Sequence, residues 1–242
     1  MTPFVAELVG TFLLILLGNG VVANVVLKDT KGSDSGWIVI TTGWALAVFV
    51  GVVVAGPYSG AHINPAVTVG LALAGKIEWN IVLPYIVAQL VGAGLGQWMV
   101  WLFYRSHYRV TSDSIGIRAT FCTHPAIRNN ENNFLSEVIG TFVLVFVVLY
   151  ITKGSLEDPN NTVVGLGSIG AIPVAFLVWA IGLSLGGTTG YAINPARDFS
   201  PRVVYAMLFR KSEDSAGWDY AWIPVVGPLV GAAIAGGIYL FM

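Results

Sequence analysis

Cysteine occurs once in the 242 residues, at Cys122, so the chain cannot form a disulfide within itself. Histidine is almost as scarce. His62, His107 and His124 stand apart, without Cys, Asp or Glu at ligand spacing, which argues against a metal site, and no cofactor is expected. Charge is thin on both sides: 12 basic residues against 13 acidic give a net charge of −1, and no basic run carries interleaved aromatics. Nucleic acid is therefore excluded as a partner on electrostatic grounds. An enzyme is not expected either, since no nucleophile–base pair, phosphate-binding loop or metal cluster stands out.

What the chain has is apolar residues, 55% of the total at a mean hydropathy of +0.75, with only 10% charged. That composition belongs to a polytopic membrane protein. Pro3 to Leu27, Gly36 to Ala55 and Asn80 to Tyr104 read as bilayer spans, because about 20 apolar residues suffice to cross. No basic stretch precedes the first, which favours a membrane helix over a cleaved leader. Phe134 to Ile151, Thr162 to Leu185 and Tyr220 to Phe241 give three more spans. Between the triplets lies the longest polar connection, residues 105–133, with four Arg and two His. We expect one membrane domain over 1–242, made of repeats 3–104 and 134–241.

The repeat is legible at a constant offset of 130: Glu7/Glu137, Gly10/Gly140, Thr11/Thr141, Phe12/Phe142, and Asn64-Pro65-Ala66 with Asn194-Pro195-Ala196. In each tripeptide Asn suits an N-cap and Pro the first helical position, where its missing N–H costs nothing. Glycine-punctuated loops, Gly56 to Ile63 and Gly186 to Ile193, precede them. The helix from Asn64 to Gly75, at about 1.5 Å per residue, is too short to cross about 30 Å of hydrocarbon. The fold expected is thus all-α and integral to the membrane, with six transmembrane helices and two re-entrant half-helices. Three spans per half force the halves into opposite orientation. Irregular backbone at membrane depth needs protein or a watery cavity around it, so the loops read as the lining of a pore. Asn64 and Asn194 would then meet near the midplane, their N–H groups toward the lumen, between two positive helix ends that repel cations and interrupt a proton-conducting water chain.

The copies differ at Val67/Arg197, Thr68/Asp198 and Ala61/Tyr191, which puts selectivity in the second half. An arginine at membrane depth is costly, about 2.5–3.5 kcal/mol, and faces a cavity or a partner. Pairing of Arg197 with adjacent Asp198 is the weaker reading, because neighbouring helical residues point apart. Glu7 and Glu137 alone would allow a proton relay; their matched positions favour carboxylates that hold re-entrant backbone, with His62 a buried packing and hydrogen-bonding residue.

On these motifs the sequence resembles the major intrinsic proteins, the aquaporin family, over essentially its whole length. Within it the chain is most similar to the aquaglyceroporins: Asp198 after Arg197, Arg202 four further on, and the branch-marking pair Pro224-Val225. The resemblance implies a selectivity filter of Trp44, Gly182, Tyr191 and Arg197, with Gly182 leaving room where water-selective members are bulkier. Trp44 and Tyr191 would face the carbon edge of a polyol and Arg197 its hydroxyls. Two residues depart from that branch, Tyr191 in place of Phe and His124 in place of an aromatic. The implied function is passive conduction of glycerol, small neutral solutes and some water, without protons or ions. The alternatives are a water-selective pore and a proton-coupled transporter using Glu7 and Glu137. A homotetramer in the plasma-membrane bilayer, with cytoplasmic termini, is also implied. That orientation puts Lys28, Lys31, Arg105, Arg109, Arg118, Arg128, Arg210 and Lys211 outside and leaves Lys76 and Lys153 inside, against the positive-inside count.

Overall fold

The computed structural model describes residues 1–151, 165–210 and 215–242. Among these are ten α-helices and no strand. The long ones of the first half are α1 (Pro3–Val26), α2 (Trp37–Ser59) and, after a short helix α3 (Pro65–Leu73), α4 (Val82–Phe103). Two short helices of six residues each, α5 (Arg105–Val110) and α6 (Ser114–Ala119), occupy the connection. The second half repeats the pattern as α7 (Asn130–Tyr150), α8 (Ile172–Leu185), the short α9 (Pro195–Leu208) and α10 (Ile223–Tyr239). The expected loop from Lys153 to Asn161 and the first residues of the span from Thr162 lie outside the described residues.

Five segments among the described residues are long and apolar enough to cross a membrane: Pro3–Val26, Trp37–Ser59, Trp79–Phe103, Asn130–Tyr150 and Gly167–Leu185. The sixth, α10, has 17 residues, about 25 Å. Its expected start at Tyr220 is instead a turn, with Pro224 in the first helical turn. α2 also differs from expectation. It runs on through Gly56 and Pro57 to Ser59, so the first irregular loop is only Gly60–Ile63. Cα-near backbone packing explains the glycines: a Cβ on Gly92 would lie 2.2 Å from the Leu8 carbonyl, and one on Gly231 2.3 Å from that of Val138. α4 therefore presses directly on α1, and α10 on α7.

The half-helices are exchanged between the halves. α3 packs against α10, and α9 against α4. At about 14 Å and 21 Å neither spans the bilayer, and each starts at its Asn N-cap, next to the other's start. The polar connection is not merely a solvated link: Tyr108 and Phe121 pack, tilted or edge-on, with Tyr205 and Phe209 in an aromatic cluster over the end of α9.

Candidate functional site

Two loops carry irregular backbone into the middle of the helix bundle. In the first, φ is +82° at Gly60, +53° at Ala61 and +43° at Ile63; in the second it is +79° at Gly190, +38° at Tyr191 and +42° at Ile193. A left-handed isoleucine or tyrosine is strained, by roughly 1–3 kcal/mol each. A buried carboxylate behind each loop holds it there. Glu7 Oε1 accepts from the Ser59 hydroxyl at 2.6 Å and the His62 N–H at 2.9 Å, and its Oε2 from the Ile63 N–H and the Gln89 amide, both at 2.7 Å. Glu137 Oε1 accepts from the Thr189 hydroxyl at 2.7 Å and the Ala192 N–H at 3.0 Å, and its Oε2 from the Ile193 N–H at 2.8 Å. Three of Glu7's four bonds thus recur 130 residues later.

With the N–H groups taken from behind, the two helix tips are joined in front. Asn64 Oδ1 accepts from the Ala66 N–H, and Asn194 Oδ1 from those of Ala196 and Arg197, so each asparagine caps its own helix. Pro65 and Pro195 take the first helical position, and Ala66 and Ala196 are fully buried beside them. Each asparagine also reaches across. Asn64 Nδ2 donates to the Ile193 carbonyl at 2.8 Å and Asn194 Nδ2 to the Ile63 carbonyl at 2.9 Å. One of the two side-chain N–H groups on each asparagine is therefore committed to the opposite loop, which leaves the other for the lumen rather than both.

A cavity of about 250 Å³ runs past both asparagines. Its walls include Leu14, Val48, Val67, Leu144 and Val178, with His62 among the few polar linings. His62 keeps Nδ1 3.1 Å from the Thr68 hydroxyl and packs edge-on to Tyr85. A second cavity, about 310 Å³, lies beside it, bordered by Trp37, Thr123, His124 and Gly190. The two share three residues, Trp44, Tyr191 and Arg197. Arg197 holds its guanidinium carbon 4.3 Å from the Trp44 ring centre, and its Nη1 is buried with no hydrogen-bond partner. Trp44 in turn lies over Gly18, where a Cβ would come within 2.4 Å of the ring.

Gly182 borders neither cavity. A Cβ there would sit 2.9 Å from Tyr191 Cζ and 3.1 Å from its Oη, so the space expected to widen the passage is filled by that ring. Glu7 and Glu137 likewise stand behind the loops rather than on the cavity wall. Asp198 does not pair with Arg197. Its Oδ1 accepts from Arg202 Nε at 2.8 Å and its Oδ2 from both the N–H and hydroxyl of Thr123. Arg202 is buried and completes its bonds on the carbonyls of Thr123 and Ala216. Pro224 and Val225 sit at the start of α10, away from both cavities.

Residues 1–239 match the family model described as Major intrinsic protein. The chain belongs to the major intrinsic protein family. It is 50% identical over 239 residues to a Thermotoga maritima protein named "Probable glycerol uptake facilitator protein", covering 99% of this chain and 98% of that one. It is 51% identical over 235 residues to the "Glycerol uptake facilitator protein" of Streptococcus pneumoniae strain R6, with 97% of each chain covered. Among solved structures it is similar to the X-ray structure of the aquaglyceroporin from Plasmodium falciparum, at 31% identity and a TM-score of 0.80 over 98% of this chain and 93% of that one.

As a major intrinsic protein the chain is a multi-pass membrane protein with six spans and two half-helices in an inverted repeat. Three contributors to its centre escaped the motif reading: Gln89, Thr123 and Trp37. Trp37 stands seven residues before Trp44, two helical turns away on the same face of α2, and that spacing was the available signal.

Proposed function

We propose that this chain is a passive channel for glycerol and other small neutral solutes, with some water permeability, and not an enzyme or a pump. The observation that carries the proposal is the reciprocal bond between Asn64 and Ile193, and Asn194 and Ile63, inside a cavity that continues to Trp44, Tyr191 and Arg197. The names of the relatives supply the solute class.

A solute with hydroxyls on one edge and carbon on the other meets matching walls. Trp44 and the aliphatic lining take the carbon edge; Arg197, the remaining asparagine N–H groups and the loop carbonyls exchange hydrogen bonds with the hydroxyls. Two opposed helix N-termini and the Arg197 charge hold the passage positive, which disfavours hydronium and metal cations. An asparagine that donates to a passing water oxygen also turns that water's protons away from the centre in both directions. Protons are thereby denied a continuous relay. Trp44, Tyr191 and Arg197 act as the filter, with Gly182 setting where Tyr191 stands.

The arrangement of Glu7 and Glu137 opposes a proton-coupled mechanism. Both are fully buried and occupied by three or four donors, and releasing either would free strained loop backbone. In the assembled state we place the channel as a homotetramer in the plasma-membrane bilayer, one passage per subunit, with both termini cytoplasmic. Glycerol influx into proteoliposomes at increasing external glycerol tests the mechanism. A rate that rises in proportion to the gradient and ignores an imposed pH difference supports the channel. Saturation, or acceleration by a proton gradient, overturns it.

A further inference from the structure

Among the described residues, Tyr191 is the filter residue whose ring packs against a second aromatic, Trp37, which itself borders the second cavity. Tyr191 sits in a notch made by two absent side chains. A Cβ on Gly182 would meet its Cζ at 2.9 Å, and one on Gly186 would meet its Cδ1 at 2.5 Å. The same Gly186 position would meet Trp37 Cζ2 at 2.8 Å, so both rings converge on one glycine. Trp37 packs edge-on against Tyr191, with ring centres 5.8 Å apart and planes at 82°, the favoured geometry for an aromatic pair.

Trp37 also fixes the floor of the notch. Its indole N–H donates to the Gly182 carbonyl at 3.1 Å. Gly182 lies three residues before Leu185, the last residue of α8, whose cap residue is Gly186, and the final four carbonyls of a helix need partners from outside it. The first residue of α2 thus ties down the last turn of α8 and, with the same side chain, the ring that leans on it. The Tyr191 hydroxyl is buried without a hydrogen-bond partner and its backbone is left-handed, so packing against its neighbours, and no hydrogen bond of its own, fixes the ring.

We infer that Trp37 is a specificity-determining positioning residue, acting through Tyr191 to keep its ring in the Gly182–Gly186 notch and so to set the bore between the two cavities. This rests on the reading of Tyr191 as a filter residue. Removal of the indole then widens the passage, and five-carbon polyols gain more than glycerol does.

The test uses full-length protein in proteoliposomes and reads the ratio of xylitol to glycerol permeability by stopped-flow light scattering. Trp37→Ala raises the ratio by about threefold or more, and Trp37→Phe, which keeps the ring but loses the N–H donor, by less. Tyr191→Ala raises it as well, and adding Trp37→Ala to Tyr191→Ala produces no further change, because the residue acted upon is gone. A merely structural role would lower both fluxes together and leave the ratio alone. An unchanged ratio in Trp37→Ala with a raised one in Tyr191→Ala overturns the role of Trp37 and spares the filter. An additive shift in the double variant also overturns it. An unchanged ratio in Tyr191→Ala removes the filter reading and this inference with it.

Discussion

Asp198 bonds to Arg202, one helical turn on, and leaves Arg197 beside it unpaired. The division matters because the two arginines sit on the same helix with opposite tasks. Arg202, its donors occupied by Asp198 and by loop carbonyls, ties α9 to the loops at Thr123 and Ala216. Arg197 keeps a free Nη1 and its charge for the cavity. Asp198 is thus part of the scaffold around the passage.

That role makes Asp198→Ala damaging. It strands a buried arginine and two Thr123 donors, and breaking a buried pair by removing one partner costs about 3–5 kcal/mol. The surface pair Arg128–Asp219, with side chains 47% and 71% exposed, is worth at most about 1 kcal/mol. Thermal unfolding of the two single variants in detergent separates these values: Asp198→Ala unfolds at a much lower temperature, while Asp219→Asn stays near the parent.

Glu137→Gln replaces two carboxylate oxygens by one acceptor and one donor against three incoming donors. At roughly 1.5–3 kcal/mol for a hydrogen bond to a charged group, the second loop loses about 2–4 kcal/mol of support. The yield of monodisperse protein falls, and what remains conducts glycerol without any new pH-gradient dependence. Undiminished yield together with lost flux would instead point to a direct part in transport.

Arg197→Val removes the positive charge at the boundary of the two cavities. Proton or cation leak, followed with a pH-sensitive dye inside proteoliposomes, rises above the parent protein, whereas glycerol flux persists. A leak equal to the parent's would show that the helix ends alone exclude charge.

Orientation is checked with thiol labelling, because the native cysteine stays silent. Burial pushes the Cys122 thiol up to about 12, so at neutral or mildly alkaline pH it is protonated as well as inaccessible. A cysteine placed at Ile127, 79% exposed in the central connection, reacts with an impermeant maleimide added outside intact cells. Labelling only after the membrane is opened would reverse the proposed orientation.

Much of this architecture is legible in the amino acids because it is written twice. Helix starts at Asn-Pro-Ala, the pairing of Glu7 with Glu137, and the shortness of α3 each follow from local chemistry seen in duplicate. What the chain hides is the relation between distant segments. Nothing near Gly182 in the sequence says that Tyr191 will fill its space, and nothing near Asn64 says that its second bond goes to Ile193. The left-handed Ile63 and Ile193 were equally hidden, since isoleucine resists that conformation and adopts it only where a buried carboxylate holds the neighbouring N–H groups. Gly56 and Pro57 are helix breakers by local chemistry and imply an end at Ala55, yet α2 runs through both to Ser59.

The central claim is that the two helix tips enclose an open, uncharged route for glycerol. It is tested most directly by stopped-flow light scattering of vesicles containing purified protein, placed in an inward glycerol gradient and compared with protein-free vesicles. The account predicts reswelling faster than the empty membrane, by a margin that grows with the amount of protein incorporated. Reswelling no faster than that of empty vesicles, at every protein density, would contradict it.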